Sequence, residues 1–336
     1  MTAQLKPAQT EASPLDRLSD LLENDMRAVN AEIVRRMDSP VALIPKLASY
    51  LIAAGGKRIR PLMTLASTAI YDGEMKRSHS LAAAVEFIHT ATLLHDDVVD
   101  ESDQRRGQDS ANMVFGNQAS VLVGDFLFSR AFQLMVDDGS LEVLRILSDA
   151  SAIIAQGEVM QLSTANNLST TMGEYLEVIR AKTAALFAAA CEVGPVVAGA
   201  EPSAAKAMAE YGLNLGIAFQ IADDALDYAG GQDKIGKTPG DDFREGKMTA
   251  PVLIALMSAT SDERNFWKRT MADKKQDSSD FKTAQGIILK HDAINQSLAL
   301  ARDYGEKARL ALAEAPDSPL RALLDELIAY TIERES

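Results

Sequence analysis

Residues 96–100 read Asp96-Asp97-Val98-Val99-Asp100, and the same pattern returns at 223–227 as Asp223-Asp224-Ala225-Leu226-Asp227. Each cluster closes a long apolar run: Glu86 is the only charged residue in 81–94, and 211–222 contains none. A helix that is apolar nearly all round is buried, and positions i and i+4 share one helical face. The sequence therefore predicts two buried helices, each ending in a same-face carboxylate pair: Asp96 with Asp100, and Asp223 with Asp227.

These carboxylates stand near predicted helix C-termini, because the loop signals Arg106-Gly107 and Gly230-Gly231 follow them. The helix dipole disfavours anions at that end, and clustered carboxylates repel one another. Cations would relieve both effects, and hard oxygen ligands of this kind suit Mg²⁺, which is usually shared with substrate phosphates. The repeated cluster predicts two facing acidic walls that hold Mg²⁺ and a diphosphate above an apolar space between helices.

The composition is that of an ordinary globular chain of 336 residues, 47% hydrophobic and 24% charged. Aromatic residues are scarce at 5% and strand-like alternation persists nowhere, so the expected fold class is all-α. The formal net charge of −14 argues against nucleic acid as a partner. Cys191 is the single cysteine, which excludes an internal disulfide and indicates a reducing, cytoplasmic compartment.

Residues 1–14 are predicted to form a mobile tail, and residues 15–336 a single helical domain. The N-terminus lacks a basic region followed by an apolar core, so no secretory signal is expected. No stretch reaches the roughly 18 uninterrupted apolar residues of a transmembrane helix, so no transmembrane segment is expected either.

A basic turn precedes the first apolar run: Gly55-Gly56-Lys57-Arg58-Ile59-Arg60-Pro61 opens a predicted helix. Free backbone N–H groups and the helix dipole would add to its cations, which favours an anion cradle, although a solvated basic turn would have the same sequence. His89 lies two helical turns before Asp96 on the same face, which indicates a polar role in the pocket. His95 is interpreted as an ordinary core histidine.

Other cations stand beside the clusters. Arg105 and Arg106 form a flap after the first cluster, and Lys182-Thr183 interrupts an apolar helix. Lys182 either extends outward along its stem or points at an anion, and Thr183 could bond back to a carbonyl one turn earlier and bend the helix.

Residues 231–238 have the spacing of a nucleotide-binding P-loop, but a helix rather than a strand precedes them and Pro239-Gly240 follows. The context therefore argues against a P-loop. We interpret 236–249 as a glycine-hinged loop that brings Lys237, Lys247 and two more carboxylates to the second cluster.

Taken together, the motifs resemble those of the trans-polyprenyl diphosphate synthases of the long-chain type, and the resemblance covers nearly all of the chain beyond the tail. The matching segments are GGKRIRP at 55–61, LLHDDVVDESDQRRG at 93–107, GDFL at 124–127, KT at 182–183, FQIADDALD at 219–227, GKTPGDD at 236–242 and EGKMT at 245–249.

The resemblance implies an isoprenoid-synthase α-bundle around a central apolar tunnel, usually a homodimer, that condenses isopentenyl diphosphate units onto an allylic diphosphate primer. It implies the following roles: Mg²⁺ binding by Asp96, Asp100, Asp223 and Asp227; isopentenyl diphosphate binding by Lys57, Arg60, His89 and Arg106; contact with the allylic diphosphate by Arg105, Lys182 and Lys237, with Lys247 closing over it; and oxygen dipoles near the developing cation from Thr183 and Gln220.

The wall of the tunnel predicts a long product. Ala91 and Thr92 lie about one turn before Asp96, where short-chain members of the resembled family commonly carry aromatic side chains. Ile88 and Ala84 continue this wall without a bulky plug. Ala84 lies twelve residues before Asp96, which leaves an open path of ~18 Å at 1.5 Å per residue. Phe128 and Phe132 share one helical face and form a candidate floor, although two ordinary core residues would have the same spacing. We expect an octaprenyl or longer product, with a quinone side chain as its natural destination.

Four alternatives remain at this stage. A shorter-chain farnesyl or geranylgeranyl synthase, and a non-catalytic subunit of a heteromeric synthase, would share the fold, but such subunits typically carry degraded aspartate motifs. A terpene cyclase would bind only one diphosphate, which leaves the basic turn at 55–61 unexplained. A structural cation-binding protein would leave all the basic turns without a purpose.

Overall fold

A computed structural model of the chain describes residues 12–53, 56–105, 107–230 and 239–333. Within these ranges the strands are confined to one antiparallel pair, β1 (Gln104–Arg105) and β2 (Gln108–Asp109), and helices form nearly everything else. The predicted all-α class is confirmed. Of the predicted tail, residues 1–11 lie outside the described residues.

The α-helices of the described chain are α1 (Pro14–Leu21), α2 (Glu23–Arg36), α3 (Leu43–Ala53), α4 (Ile59–Ile70), α5 (Met75–Val99), α6 (Ala111–Phe115), α7 (Asn117–Asp138), α8 (Leu141–Thr164), α9 (Met172–Ile179), α10 (Ala185–Ala198), α11 (Pro202–Ala229), α12 (Asp241–Arg244), α13 (Ala250–Met257), α14 (Ser261–Trp267), α15 (Asp280–Lys290), α16 (Ala293–Leu312) and α17 (Pro319–Glu333). The described chain also contains two π-helical turns: π1 (Arg180–Ala184), which joins α9 to α10, and π2 (Lys268–Ala272), which continues α14.

Two long helices, α5 and α11, form the centre of the bundle, as their apolar sequences predict. Helix α5 packs against α2, α4 and α7, whereas α11 packs against α16 and α17, and α10 contacts both α5 and α11. Helix α5 ends at Val99 and α11 ends at Ala229, where Gly230 adopts the positive φ of +75°. The aspartate clusters therefore lie at the C-terminal ends of the two central helices.

The turn π1 interrupts the helical stretch between α9 and α10 at the predicted Lys182-Thr183 position. Two glycines let neighbouring helices approach it closely. A Cβ atom on Gly157 of α8 would lie 2.8 Å from the backbone nitrogen of Lys182, and one on Gly216 of α11 would lie 2.7 Å from Cα of Ala184. Because π-helical turns are rare and concentrate at functional sites, this close packing marks π1 as a candidate site element.

In the part of the chain that the structure describes, two helical stretches are long and apolar enough to cross a membrane by length and composition alone. One, Met172–Ala198, is 72% buried inside the protein, as the core helix of a bundle would be, and the other, Asn117–Asp138, is 39% buried. The expected absence of a transmembrane segment therefore stays a prediction.

The packing around π1 generates a stability prediction. Gly157→Ala should lower the free energy of unfolding by about 1–3 kcal/mol, because the new methyl group meets backbone atoms that cannot rotate away. Gly286→Ala on α15 is the matched control: its Cβ would meet nothing within 4 Å, so it should be neutral or stabilising by about 0.4–1 kcal/mol. Chemical denaturation of both variants measures the difference, and equal stabilities would contradict the packing argument.

Candidate active site

Both aspartate clusters open onto one cavity of about 430 Å³ between α5, α8, π1 and α11. Its lining brings together twelve of the residues predicted from sequence: Lys57, Arg60, His89, Thr92, Asp96, Asp100, Arg105, Lys182, Thr183, Gln220, Asp223 and Lys247. Arg106 and Lys237 lie outside the described residues. The remaining predicted metal ligand, Asp227, stands beside this lining and is described below.

On the first wall, the outer two aspartates face lysines and the middle one is buried. Asp96 lies 3.4 Å from Lys182 Nζ, and Asp100 lies 3.3 Å from Lys247 Nζ. Asp97 is 3% exposed and accepts a hydrogen bond of 2.6 Å from Arg105. Burial raises the pKa of Asp97, and the Arg105 guanidinium opposes that rise. The first wall therefore separates two cavity-facing carboxylates from one that holds the β1–β2 flap.

On the second wall, the middle aspartate is again buried. Asp224 is 4% exposed and accepts hydrogen bonds from the Tyr175 hydroxyl, at 2.6 Å, and from Gln220 Nε2, at 2.7 Å. Burial raises the pKa of Asp224 and repulsion from Asp242 adds to the rise, whereas both hydrogen bonds oppose it. The Gln220 Oε1 atom accepts in turn from the Thr183 hydroxyl, at 2.8 Å. The predicted back-bond of Thr183 to its own helix is wrong, because this hydroxyl donates to another helix.

Asp227 anchors the start of α12. Its two carboxylate oxygens accept backbone N–H groups from Gly240, at 3.0 Å, and Asp242, at 3.2 Å. Burial raises the pKa of Asp227 to about 7, and repulsion from Asp242 adds to the shift. Asp242 itself lines the cavity, so α12 adds a carboxylate to the second wall. The sequence places that carboxylate beside the second cluster, but its local pattern indicates no role for it.

Lys182 is held between the first wall and a residue that sequence analysis did not single out. Its Nζ atom lies 2.7 Å from Glu158 Oε2 on α8. Burial raises the pKa of Glu158 to about 7, and repulsion from Asp96 contributes, while Lys182 opposes the rise. The sequence signal that could have indicated Glu158 is an acidic residue directly after Gly157 in an apolar helix. Lys182 thus points toward the cavity, which decides between its two predicted orientations.

A second cationic group, besides Lys182 and Lys247, lies on the basic turn that opens α4. Arg60 Nη1 lies 3.1 Å from His89 Nε2, and the Arg60 guanidinium stacks 4.4 Å from the centre of the Phe187 ring. Since a guanidinium only donates, neutral His89 must accept on Nε2 and carry its proton on Nδ1. Lys57 Nζ lies 3.4 Å from the Tyr330 hydroxyl of α17.

The third cation of the basic turn is used structurally. Arg58 adopts a left-handed backbone, with φ of +48°, and its side chain pairs with the buried Glu86 on α5 at 2.5 Å. A non-glycine residue rarely adopts this conformation without compensation. The ion pair supplies that compensation and fixes the turn against α5, so that Lys57 and Arg60 line the cavity.

Among the predicted chain-length residues, Thr92 lines the cavity, and its hydroxyl donates to the His89 carbonyl at 2.8 Å. Ala91 and Ile88 are fully buried in the helix packing behind it. The rings of Phe128 and Phe132 lie 5.9 Å apart, so their predicted neighbourhood on α7 is confirmed, and Phe132 is 39% exposed. Their function as a floor stays a prediction.

The acidic walls suit a divalent cation that keeps part of its hydration shell. Within the described ranges, no three Asp, Glu, His or Cys side chains converge as a ready-made metal cage. The two walls instead contribute individual carboxylates from different helices. On the first wall, Lys182 and Lys247 lie where cations would compensate the charge of Asp96 and Asp100. Mg²⁺ is usually bound by one or two carboxylates, with water and substrate phosphates completing its shell. The donor set therefore fits this ion.

These features define a class: an all-helical enzyme whose cavity presents two acidic walls and two separate cationic groups to a phosphorylated substrate. Comparison with known proteins gives the family. A family model described as polyprenyl synthetase matches residues 41–288.

Three relatives illustrate how similar the whole chain is. Octaprenyl diphosphate synthase of Escherichia coli (strain K12) is 41% identical, over 96% of this chain and 99% of its own length. The crystal structure of a polyprenyl synthase from Caulobacter crescentus CB15, complexed with calcium and isoprenyl diphosphate, matches with a TM-score of 0.94 and 50% identity, covering 98% of this chain and 100% of that one. The crystal structure of a decaprenyl diphosphate synthase from Rhodobacter capsulatus matches with a TM-score of 0.91 and 52% identity, covering 96% of this chain and 100% of that one.

The chain belongs to the polyprenyl synthetase family, and it is a prenyltransferase with the all-α isoprenoid-synthase fold. The terpene-cyclase and structural cation-binding alternatives are thereby excluded.

Proposed function

We propose that this protein adds successive isopentenyl diphosphate units to an allylic diphosphate primer and releases a long all-trans polyprenyl diphosphate, octaprenyl or longer. The observation that carries the proposal is that two separate cationic groups and both intact aspartate clusters line one cavity. One group suffices for a single diphosphate, and a condensation needs two. The octaprenyl and decaprenyl relatives support a long product.

The allylic diphosphate would lie between the acidic walls, where Lys182 and Lys247 can exchange their carboxylate partners for phosphate oxygens. Divalent cations held by Asp96, Asp100 and Asp223, with Asp227 or Asp242, would supply Lewis-acid stabilisation of the departing diphosphate. Thr183 and Gln220 lie beside this position, so their oxygen atoms can stabilise positive charge on the allylic carbon. Arg105 would contribute from the flap that Asp97 holds.

Isopentenyl diphosphate would bind at the basic turn, on Lys57, Arg60 and His89. The Arg60–His89 contact and the stacking of Arg60 on Phe187 hold the guanidinium in place before substrate arrives. A planar, fixed guanidinium suits phosphate oxygens particularly well. Arg106, beyond the described residues, would add a cation from the flap.

We propose that the active form is a homodimer. Helix α7 exposes Leu122 (67%), Phe132 (39%) and Val136 (63%), and the next helix exposes Val159 (69%) and Leu162 (65%). Apolar side chains clustered on neighbouring helices favour burial against another protein surface. We further propose a cytoplasmic location, which the buried Cys191 thiol supports, and a quinone side chain as the destination of the product.

The direct test is product chromatography after incubating the purified chain with Mg²⁺, isopentenyl diphosphate and farnesyl diphosphate. Products of eight or more isoprene units support the proposal. Products that stop at three or four units would establish the shorter-chain alternative. Absence of any turnover by the chain alone, with activity restored by a second protein, would establish that the chain works as a subunit of a heteromeric synthase.

Product length should respond to the wall of the cavity. Thr92→Phe should shorten the product sharply, because Thr92 lies four residues before Asp96, ~6 Å along the helix at 1.5 Å per residue. Thr90→Phe is the matched control, since Thr90 lines a smaller adjoining cavity and not the one that contains the aspartate clusters. An unchanged product distribution in Thr92→Phe, by chromatography, would place the growing chain elsewhere.

Metal dependence follows from the acidic walls. Asp96→Ala and Asp223→Ala should each reduce kcat by about 100-fold or more, equal to roughly 3 kcal/mol of lost transition-state stabilisation. Asp103→Ala is the control: Asp103 is an exposed aspartate directly before β1, so this variant should retain wild-type turnover. Full activity of the wild type in excess chelator would rule out the assignment.

The two cationic groups should affect different substrates. Arg60→Ala should raise KM for isopentenyl diphosphate about 10–100-fold, equal to roughly 1.5–3 kcal/mol for a charge-assisted contact. Lys182→Ala should act mainly on the allylic substrate. Arg145→Ala, an exposed arginine on α8, serves as the control. Steady-state kinetics with each substrate varied in turn would contradict the assignment if Arg60→Ala left KM for isopentenyl diphosphate unchanged.

A further inference from the structure

Glu86 is the only charged residue in the apolar run 81–94 of α5, and it lies deep in the helix packing. It is 7% exposed, and its neighbours Val85 and Phe87 are 0% and 1% exposed. A carboxylate in such surroundings is tolerated only when it has a partner. Arg58 is that partner: its Nη1 atom donates to Glu86 Oε1 at 2.5 Å.

Arg58 is the residue at which the chain enters α4. Its φ of +48° and ψ of +37° are left-handed, and its side chain makes no capping hydrogen bond to the helix. An N-cap residue usually has an extended backbone and bonds to the first helical turn with its side chain. The ion pair with Glu86 therefore replaces the usual cap as the side-chain contact that holds this turn.

The φ angle of Arg58 sets the position of Lys57 relative to Arg60. Rotation about this bond moves the chain before Arg58 with respect to α4, which carries Arg60. A change from +48° to the common helical value of about −60° would turn Lys57 by about 110°. Arg60 would stay in place, because His89 and Phe187 contact its guanidinium. The two cations would then no longer face one diphosphate together.

We infer that Glu86 is a positioning residue for isopentenyl diphosphate: its pairing with Arg58 holds the left-handed turn that brings Lys57 and Arg60 to a single diphosphate. The inference rests on the proposed function. Glu86 acts through the backbone of Arg58 and not by contact with the substrate. Without the pair, a residue that carries a Cβ relaxes out of the left-handed region, and the apparent affinity falls with the fraction of molecules that keep the binding conformation.

Two double variants test this role, because they remove the ion pair equally and differ by one methyl group. Glycine adopts positive φ about as readily as negative φ, whereas alanine does not. Glu86→Gln with Arg58→Ala should raise KM for isopentenyl diphosphate about 5–30-fold, and Glu86→Gln with Arg58→Gly less than about threefold. KM for farnesyl diphosphate should change less than about twofold in both. Equal KM values for isopentenyl diphosphate in the two double variants, whether raised or at the wild-type level, would overturn the inference.

Asp72→Ala and Asp72→Gly form the matched control pair. Asp72 also has a left-handed backbone, with φ of +55°, but it is exposed and lies beyond the other end of α4. The alanine variant should again be the less stable of the two, and both should keep the wild-type KM for isopentenyl diphosphate. Different KM values would contradict the role of Glu86, because strain anywhere in α4 would then set the affinity.

Lys57→Ala adds a readout that a purely structural role would not change. Once the lysine is absent, the alanine and glycine double variants should have the same KM for isopentenyl diphosphate, because the group that the turn positions is gone. A difference as large as before would refute the inference. If the double variants are too unstable to purify, Arg58→Ala and Arg58→Gly make the same comparison with Glu86 retained, and chemical denaturation identifies the folded variants.

Calorimetric binding of isopentenyl diphosphate to the ligand-free protein separates this inference from the proposed function. The dissociation constants should follow the same order as KM. If the variants bind in this order but the wild type forms no polyprenyl diphosphate, the result counts against the proposed function alone. If the wild type forms the product but the two double variants bind isopentenyl diphosphate equally, the result counts against the inference alone.

Discussion

The repulsion between carboxylates gathered at the ends of two buried helices is the constraint on which the rest of this structure depends. The fold relieves this repulsion by giving the aspartates of each cluster different surroundings. The middle aspartates, Asp97 and Asp224, are buried and given dedicated donors, Arg105 on one wall and Tyr175 with Gln220 on the other. On the first wall, Asp96 and Asp100 stay on the cavity and face lysines. A buried carboxylate is tolerated only when it is paired or hydrogen-bonded, so each cluster supplies both a structural anchor and a binding group.

The same arrangement ties the loops of the site to the central helices. Asp97 holds the β1–β2 flap through Arg105, while Asp227 holds the start of α12 through the backbone of Gly240 and Asp242. Lys247, which follows α12, reaches Asp100 at the end of α5. Charge thus organises the loops around the cavity, and it does so at the place where a phosphorylated substrate would need them.

Local sequence patterns predicted the elements well and the pairings poorly. The apolar runs, the i and i+4 spacing of Asp96 with Asp100, and the glycine-flexed basic turn are local signals, and the structure places them as expected. The partner of Thr183 was predicted wrongly, because Gln220 lies on another helix and no local periodicity reports it. Tyr175 was missed for the same reason: its hydrogen bond to Asp224 spans 49 positions of the chain. Such bonds depend on how helices pack, which here depends on glycines at 157 and 216 that carry no distinctive signal in the sequence.

The two cationic groups are held in different ways, and the difference bears on how so acidic a chain can bind two diphosphates. The His89 ring and the Phe187 face hold the Arg60 guanidinium in place. Lys182 and Lys247 are instead paired with carboxylates of the first wall. A bare diphosphate would have to compete with those carboxylates and would be repelled by the acidic residues around it. Under the proposed function, Asp96 and Asp100 would hold divalent cations that accompany the diphosphate, and Lys182 and Lys247 would then bind its phosphate oxygens. Under the proposed function, the allylic side is therefore prepared for an anion together with its metal, whereas binding on the isopentenyl side leaves those two lysine pairs in place.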